Sequence, residues 1–391
     1  MPETIDFPSY LESLQDKEPH YSSFLRHLDQ KARRMNVPLF GQFELTPLCN
    51  LNCTMCYVHL RDEQFQGKKL LSTDEWKHLM DEACEKGMLE ATLTGGECLT
   101  YPGFNELYLE LQRLGCQITV MTNAVLLDEQ RIAFFKEHPP ALIQATLYGN
   151  SEDTYERVTG SRVFHRVIRH LSLIKEAGMP LSVSITPSLT LGEDVFETVR
   201  LAYDFTKSVL INSSLFTPED EEWRNGEREN PSIEFYARIL RFQRELIGLS
   251  LKKVSLEELP EPGGNIHSCD ECGLLCGGGR SSFVVSWKGN LKICNRMSQE
   301  ESVRSLGFSE AWKRLNHAAS AWPQVPECTE CPYETVCSKC AAVFKDYTAP
   351  GQKPDAYCQQ IKYLVSQGVL PASECKLSRE HPGSFCVHQN A

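Results

Sequence analysis

Cys49, Cys53 and Cys56 stand in the run Leu48-Cys-Asn-Leu-Asn-Cys-Thr-Met-Cys-Tyr57, a C-x3-C-x2-C spacing. Three thiolates on one short loop can hold three irons of a 4Fe–4S cube and leave the fourth iron open to a substrate or cofactor. A structural zinc site or a closed electron-transfer cluster takes four protein ligands. The zinc alternative therefore needs a fourth ligand from elsewhere. About forty residues on comes Thr94-Gly-Gly-Glu97, where the glycines let backbone approach a ligand and the carboxylate can pair with an ammonium group. The other concentration of reactive side chains is C-terminal. Of 17 cysteines none lies between Cys116 and Cys269, and eleven lie from Cys269 onward.

The loop and the Gly-Gly-Glu turn together resemble the radical S-adenosylmethionine (SAM) enzymes. The resemblance implies an open iron that chelates the amino and carboxylate groups of SAM. One electron from the cluster then cleaves SAM to methionine and a 5′-deoxyadenosyl radical, which abstracts hydrogen from the substrate. The cofactor carries that chemistry and the protein supplies position and shielding. By the same resemblance Gly95, Gly96 and Glu97 contact the methionine amino group, and Tyr57 lies beside the adenine. Asn123, after Thr122 at the end of a strand, and Ser184 with Thr186 are polar positions suited to SAM, although such residues also cap helices. Leu147-Tyr-Gly149 stands where relatives often read Leu-Asp-Gly, so Tyr148 replaces that acid. Cys98 stands where the family usually has Pro. It is read either as a hydrogen-atom donor to a substrate radical or as a small, packed, inert cysteine.

The C-terminal cysteines follow the pattern Cys276-x12-Gly289-x4-Cys294, then Cys328-x2-Cys331-x5-Cys337-x2-Cys340, then Cys358. This resembles the SPASM domain appended to many radical SAM enzymes, with x2 where the usual central block ends in x3. The resemblance implies two auxiliary 4Fe–4S clusters, hence three in all with SAM as cosubstrate. Cys328, Cys331, Cys337 and Cys358 would hold the outer one. Cys276, Cys294 and Cys340 would hold the inner one, with Cys269 or Cys272 as fourth ligand. Structural zinc in a C-x2-C ribbon is the alternative, since soft thiolates do not separate the metals. Ser281–Ile293 reads as a β-hairpin turning at Lys288-Gly289-Asn290, which would bring Cys276 and Cys294 together. Cys375 and Cys386 receive no role.

These residues need a scaffold. From about 41 to 216 the pattern alternates strand and helix. Strands are expected at Gln42–Leu45, Ala91–Thr94, Gln117–Met121, Leu142–Leu147, Ser182–Ile185 and Ser208–Leu215. Helices are expected near 73–87, 104–114, 128–137, 163–177 and 194–206. Such units imply a parallel sheet with right-handed crossovers. The fold class is α/β, a partial (β/α)6 TIM-type barrel with its active site at the carboxyl ends of the strands. The cysteine loop and the Gly-Gly-Glu turn then share one rim. Residues 1–40 read as a lead-in segment with short helical patterns, 217–265 as a charged connection with a helix near 232–248, 266–365 as the small cysteine-rich domain, and 366–391 as a tail.

The 391 residues suffice for two or three domains. The net charge of −12 argues against nucleic acid or an anionic membrane as the main partner. No apolar run approaches a membrane span, and the N-terminus lacks signal-peptide features. With the clustered cysteines this points to a reducing, cytoplasmic setting.

Auxiliary clusters can accept an electron from a substrate radical or ligate a substrate thiolate. Both uses fit oxidative modification of a peptide, by cross-link or side-chain oxidation, with a reductant such as flavodoxin or ferredoxin as a further partner. Sulfatase-maturing relatives carry an Asp base after the cysteine that matches Cys294. Asn295 stands there, and an amide cannot take that proton. Forty residues before the barrel are too few for a leader-binding winged helix, so a separate leader-binding protein or direct docking is expected. Two other classes stay open: a radical SAM dehydrogenase or epimerase of a small molecule, and a non-enzymatic iron–sulfur or zinc scaffold or electron carrier.

Overall fold

The structure, a computed structural model, describes residues 20–58, 60, 62–212, 229–249, 251–262, 273–328 and 331–370. Cys269, Cys272, Cys375 and Cys386 lie outside them, as does the end of the strand expected through Leu215. Helix α1 (His20–Met35) leads into β1 (Phe40–Glu44). There follow α2 (Asp62–Phe65), α3 (Thr73–Glu85), β2 (Glu90–Thr94), α4 (Phe104–Arg113), β3 (Gln117–Thr122), α5 (Glu129–Glu137) and β4 (Leu142–Thr146). Then come α6 (Glu152–Thr159), α7 (Phe164–Glu176), β5 (Leu181–Ile185), α8 (Asp194–Ala202) and β6 (Val209–Ile211). The second half comprises α9 (Ile233–Leu246), β7 (Ser282–Val285), β8 (Asn290–Lys292), β9 (Glu300–Ser302), α10 (Val303–Ser320), α11 (Ala341–Phe344) and α12 (Asp355–Ser366).

Strands β1 to β6 pair in chain order, each parallel to the next. Parallel strands are covered on both faces, so their sequences run apolar. Every residue of β5 is buried, and Phe43, Leu93 and Val120 form one fully buried row across β1, β2 and β3. Helix starts are set by side-chain caps. Ser72 and Glu75 form a reciprocal capping box on α3, and Ser151 caps α6, which ends on left-handed Gly160.

The hairpin continues the sheet of the barrel. β7 pairs in parallel with β1, in the register Phe40↔Ser282 to Phe43↔Val285, and β8 and β9 continue the sheet antiparallel to a total of nine strands. The physical reason is edge coverage. An open barrel leaves β1 with unpaired backbone groups, and β7 satisfies them. The seam is apolar, with Phe283 edge-on to Phe43 at 5.9 Å and to Phe308 of α10 at 5.1 Å. Among its described residues the lead-in forms a 16-residue helix that pins this seam: buried Asp29 accepts a hydrogen bond from Ser281 Oγ at 2.6 Å. The turn forms as expected, with Gly289 at φ 82°. Among the described residues no helix is long and apolar enough to cross a membrane.

Candidate active site at the strand ends

The loop after β1 is held on two sides. On one side Leu45 N–H donates to Thr94 O at 2.9 Å, Gly96 N–H to Thr46 O at 2.7 Å and Glu97 N–H to Leu48 O at 2.9 Å. The lacing is so close that a Cβ on Gly96 would come within 2.7 Å of Pro47 O, and nearer still to Leu48 O. Gly95 adopts φ +136°, and a Cβ there would strike Thr46 O. The close approach that these glycines permit is thus to the cysteine loop's own backbone. On the other side Asn52 N–H donates to Thr159 O and Thr54 N–H to Val158 O, at 2.9 and 3.0 Å. Those carbonyls end α6, a helix that the sequence reading lacked, and the loop's N–H groups cap it.

Clamped in this way, the loop presents Cys49 and Cys56 half-buried and Cys53 6% exposed. Burial is the main cause that pushes the Cys49 thiol up to about 12, with the Glu97 charge adding to it. Cys53 lies well above the ordinary thiol range, from burial and then from the charges of Cys56 and Cys49. The Cys49 sulfur also accepts hydrogen bonds, from Leu51 N–H at 3.4 Å and Asn123 Nδ2 at 3.6 Å, and the Tyr148 side chain acts against the rise at Cys53. Tyr148, which stands in place of the family's Asp, therefore reaches the cysteine loop. Buried thiols that repel one another as thiolates are a donor set completed by a soft metal, which deprotonates its ligands on binding. Among the described residues no three Cys, His, Asp or Glu side chains converge on a single ion; a cube that takes one thiolate per iron asks for a wider arrangement.

Glu97 is 1% exposed. Its Oε1 accepts from Leu99 N–H at 3.1 Å and Thr122 Oγ1 at 2.9 Å, and its Oε2 from Asn123 N–H at 2.7 Å. A carboxylate has about four acceptor positions; both on Oε1 are filled, with the Cys98 sulfur a further contact at 3.9 Å, and one on Oε2 stays open. Burial raises the Glu97 pKa, and these hydrogen bonds oppose it. Asn123 also donates to Asn50 Oδ1 at 2.7 Å, which ties the end of β3 to the cysteine loop. Cys98 is fully buried and its S–H donates to Met121 O at 3.2 Å, a placement that supports the packed-thiol reading. Ser184 and Thr186 are joined by Asn212, a residue that the sequence reading missed: Asn212 Nδ2 donates to Thr186 Oγ1 at 2.7 Å, and Ser184 Oγ lies 3.5 Å from Asn212 Oδ1.

Residues 43–206 match the family model of the Radical SAM superfamily. These residues form a radical SAM domain. The chain is 25% identical to the AdoMet-dependent heme synthase of Methanosarcina barkeri (strain Fusaro / DSM 804) over 83% of this chain and 97% of that one. It is 30% identical to the PqqA peptide cyclase of Rhodopseudomonas palustris (strain ATCC BAA-98 / CGA009) over 46% of this chain and 48% of that one. Among solved structures it resembles Streptococcus suis SuiB bound to S-adenosylmethionine, with TM-score 0.62 and 16% identity over 84% of this chain and 80% of that one. SuiB bound to its precursor peptide SuiA gives TM-score 0.63 at 15% identity, over 88% and 82%. At that identity the likeness is one of fold.

Beside the radical SAM domain the later cysteines gather in two sets. Burial is the main cause that raises both Cys276 and Cys294; the charge of Cys340 adds to it at Cys276, and those of Cys276 and Cys340 at Cys294, which is pushed up to about 12. Burial, then the charges of Cys358 and Cys331, pushes Cys328 up to about 11. Burial, then the charges of Cys328, Cys358 and Cys331, pushes Cys337 up to about 12.

The first of these sets adjoins the radical SAM loop. Asn295 Nδ2 donates to the Tyr57 hydroxyl at 3.2 Å, so the residues that follow Cys294 and Cys56 touch. Asn295 Oδ1 is buried without a hydrogen-bond partner among the described residues. Burial and the Glu44 charge raise the Tyr57 phenol.

Glu44 itself escaped the sequence reading, because one acid at a strand end carries no spacing signal. It is 9% exposed, and burial pushes it from 4.5 up to about 7 against the pull of Lys292. An acid raised in the fold gives up its proton more readily when unfolded. Its effect is therefore neutral below the unfolded pKa and destabilising as pH rises towards the folded one, by about 1.4 kcal/mol per unit. Glu44→Gln is expected to remove a cost of roughly 3 kcal/mol at pH 8 and to change nothing at pH 4. Unfolding midpoints of the two proteins across that range check this, and parallel curves would refute it.

Proposed function

We propose that this protein is a SAM-dependent radical enzyme that oxidatively modifies a peptide, by cross-link or side-chain oxidation, with two auxiliary 4Fe–4S clusters as electron acceptor or thiolate site. The observation that carries this reading is the Tyr57–Asn295 contact, which sets the Cys49–Cys56 loop against the Cys276, Cys294 and Cys340 set. When bound, the loop's 4Fe–4S cluster and SAM supply the one-electron cleavage that yields methionine and a 5′-deoxyadenosyl radical. Cys49, Cys53 and Cys56 would ligate that cluster. Glu97 offers its remaining acceptor position to the SAM ammonium, and Asn123, Ser184 and Thr186 supply neutral polar contacts. Oxidation of a substrate radical releases a proton, which Asn295 cannot accept. Glu44, a buried carboxylate whose proton affinity lies near neutrality, is suited to that task.

The peptide class is supported by the PqqA peptide cyclase and by SuiB with its precursor peptide. A second reading, a small-molecule substrate, is favoured by the likeness that spans nearly all of the heme synthase. The test is anaerobic reconstitution, iron counting and assay with a reductant and any short peptides found encoded beside this gene. About twelve irons, 5′-deoxyadenosine formation and a peptide lighter by two hydrogens are expected. Turnover of a small molecule with every peptide untouched would overturn the peptide reading. Bound zinc without SAM cleavage would overturn both.

A further inference from the structure

Among the described residues two cysteines besides Cys98 belong to none of the sets above. Cys84 lies in the last turn of α3 and Cys116 immediately before β3, at the end of the sheet opposite the cysteine loop. Their sulfurs are 3.3 Å apart. Closing a disulfide at about 2.05 Å asks for an approach of roughly 1.3 Å, between a helix terminus and a loop. Both residues border open space. Cys84 is half-buried, and Cys116, 8% exposed, lines an open cleft of about 420 Å³ with Gln117, Pro139 and Pro140.

We propose that Cys84 and Cys116 form an exchange-active dithiol that closes to a disulfide on reaction with a low-molecular-weight disulfide. The two sulfurs are not equivalent. Cys84 is the more exposed of the pair, half-buried where Cys116 is buried, and its contact with Cys116, then Arg113, favours its thiolate. The same contact, then burial, raises Cys116. Cys84, the sulfur-bearing residue that solvent reaches more readily, is the attacking group, and it attacks as the thiolate. It displaces one thiolate from the small disulfide and becomes a mixed disulfide. Cys116 attacks that sulfur, its proton passes to the departing thiolate, and the Cys84–Cys116 bond forms. The dithiol loses two electrons and two protons, and the small disulfide becomes two thiols. The closed bond joins α3 to the start of β3, away from the strand-end site. This goes beyond the proposed activity and does not rest on it.

The experiment treats the cluster-loaded full-length protein anaerobically with glutathione disulfide, followed by acid quench, alkylation and peptide mapping under non-reducing conditions. A Cys84–Cys116 cross-linked peptide is expected, with a raised thermal midpoint that dithiothreitol reverses. Cys116→Ser is expected to trap glutathione on Cys84, and Cys84→Ser to leave Cys116 unmodified. Recovery of both cysteines alkylated in the wild-type protein overturns the proposal, whether or not the variants fold. Glutathionylation of Cys116 in Cys84→Ser at the wild-type rate overturns the assigned order of attack.

Discussion

Cys53→Ala is expected to abolish SAM cleavage and to remove one third of the reconstituted iron, about four of twelve atoms. Losing a group that merely supports a metal ligand costs about 10–100-fold in affinity or activity, and losing a ligand should cost more. The surroundings offer no substitute. Cys53 is the most buried of the loop trio, and its neighbours Asn52 and Thr54 are pinned to the end of α6. The next thiol along the rim, Cys98, is fully buried and bonded to Met121 O. Cys98→Ala is therefore the matched control, with iron content retained. Iron analysis and quantitation of 5′-deoxyadenosine read both variants. A Cys53→Ala protein that keeps its iron and its turnover would refute the assigned role of the loop.

Gly96→Ala is the second large effect. Its backbone φ is not one that demands glycine, so the substitution tests steric contact alone. The added methyl would press on the carbonyls of Pro47 and Leu48, which are backbone and cannot turn aside. Forcing one carbon into a filled space costs about 1–3 kcal/mol. Here the strain falls on the hydrogen bonds that lace Gly96 to Thr46 and Glu97 to Leu48. The expected result is a thermal midpoint lower by about 2–8 °C, with a weakened affinity for SAM measured by equilibrium dialysis. An alanine variant with both quantities unchanged would mean that the two loops are not in contact.

Much of this was legible in the chain. Strand and helix alternate through the first half with glycine and polar punctuation, so β1 to β5 and the helices α3, α4, α5 and α7 fall within a few residues of expectation. The loop trio, the Gly-Gly-Glu turn and the later cysteine pattern are local spacings, and spacing survives in sequence. What was not legible is pairing at a distance. Nothing in the alternation of β7 names β1, more than two hundred residues earlier, as its neighbour. Helix α6 is eight residues long, and its role as the loop's outer clamp resides in two carbonyls that any sequence carries. Glu44 and Asn212 owe their significance to burial and to their partners. The helical period of α10 is broken by Gly307 at φ 70°, which conceals it from a periodicity reading.

The shared seam between β1 and β7 bears on modularity. The cysteine-rich half looks from its spacing like a cassette that recombination could exchange among barrels. The sheet argues otherwise. Removing that half strips the hydrogen-bonding edge from the strand that carries the cluster loop, and bares Phe43 where Phe283 now covers it. A transplanted replacement would have to reproduce the register Phe40↔Ser282 as well as the cysteines. The two halves are therefore expected to be inherited as one unit, with substitutions at the seam compensating each other across it.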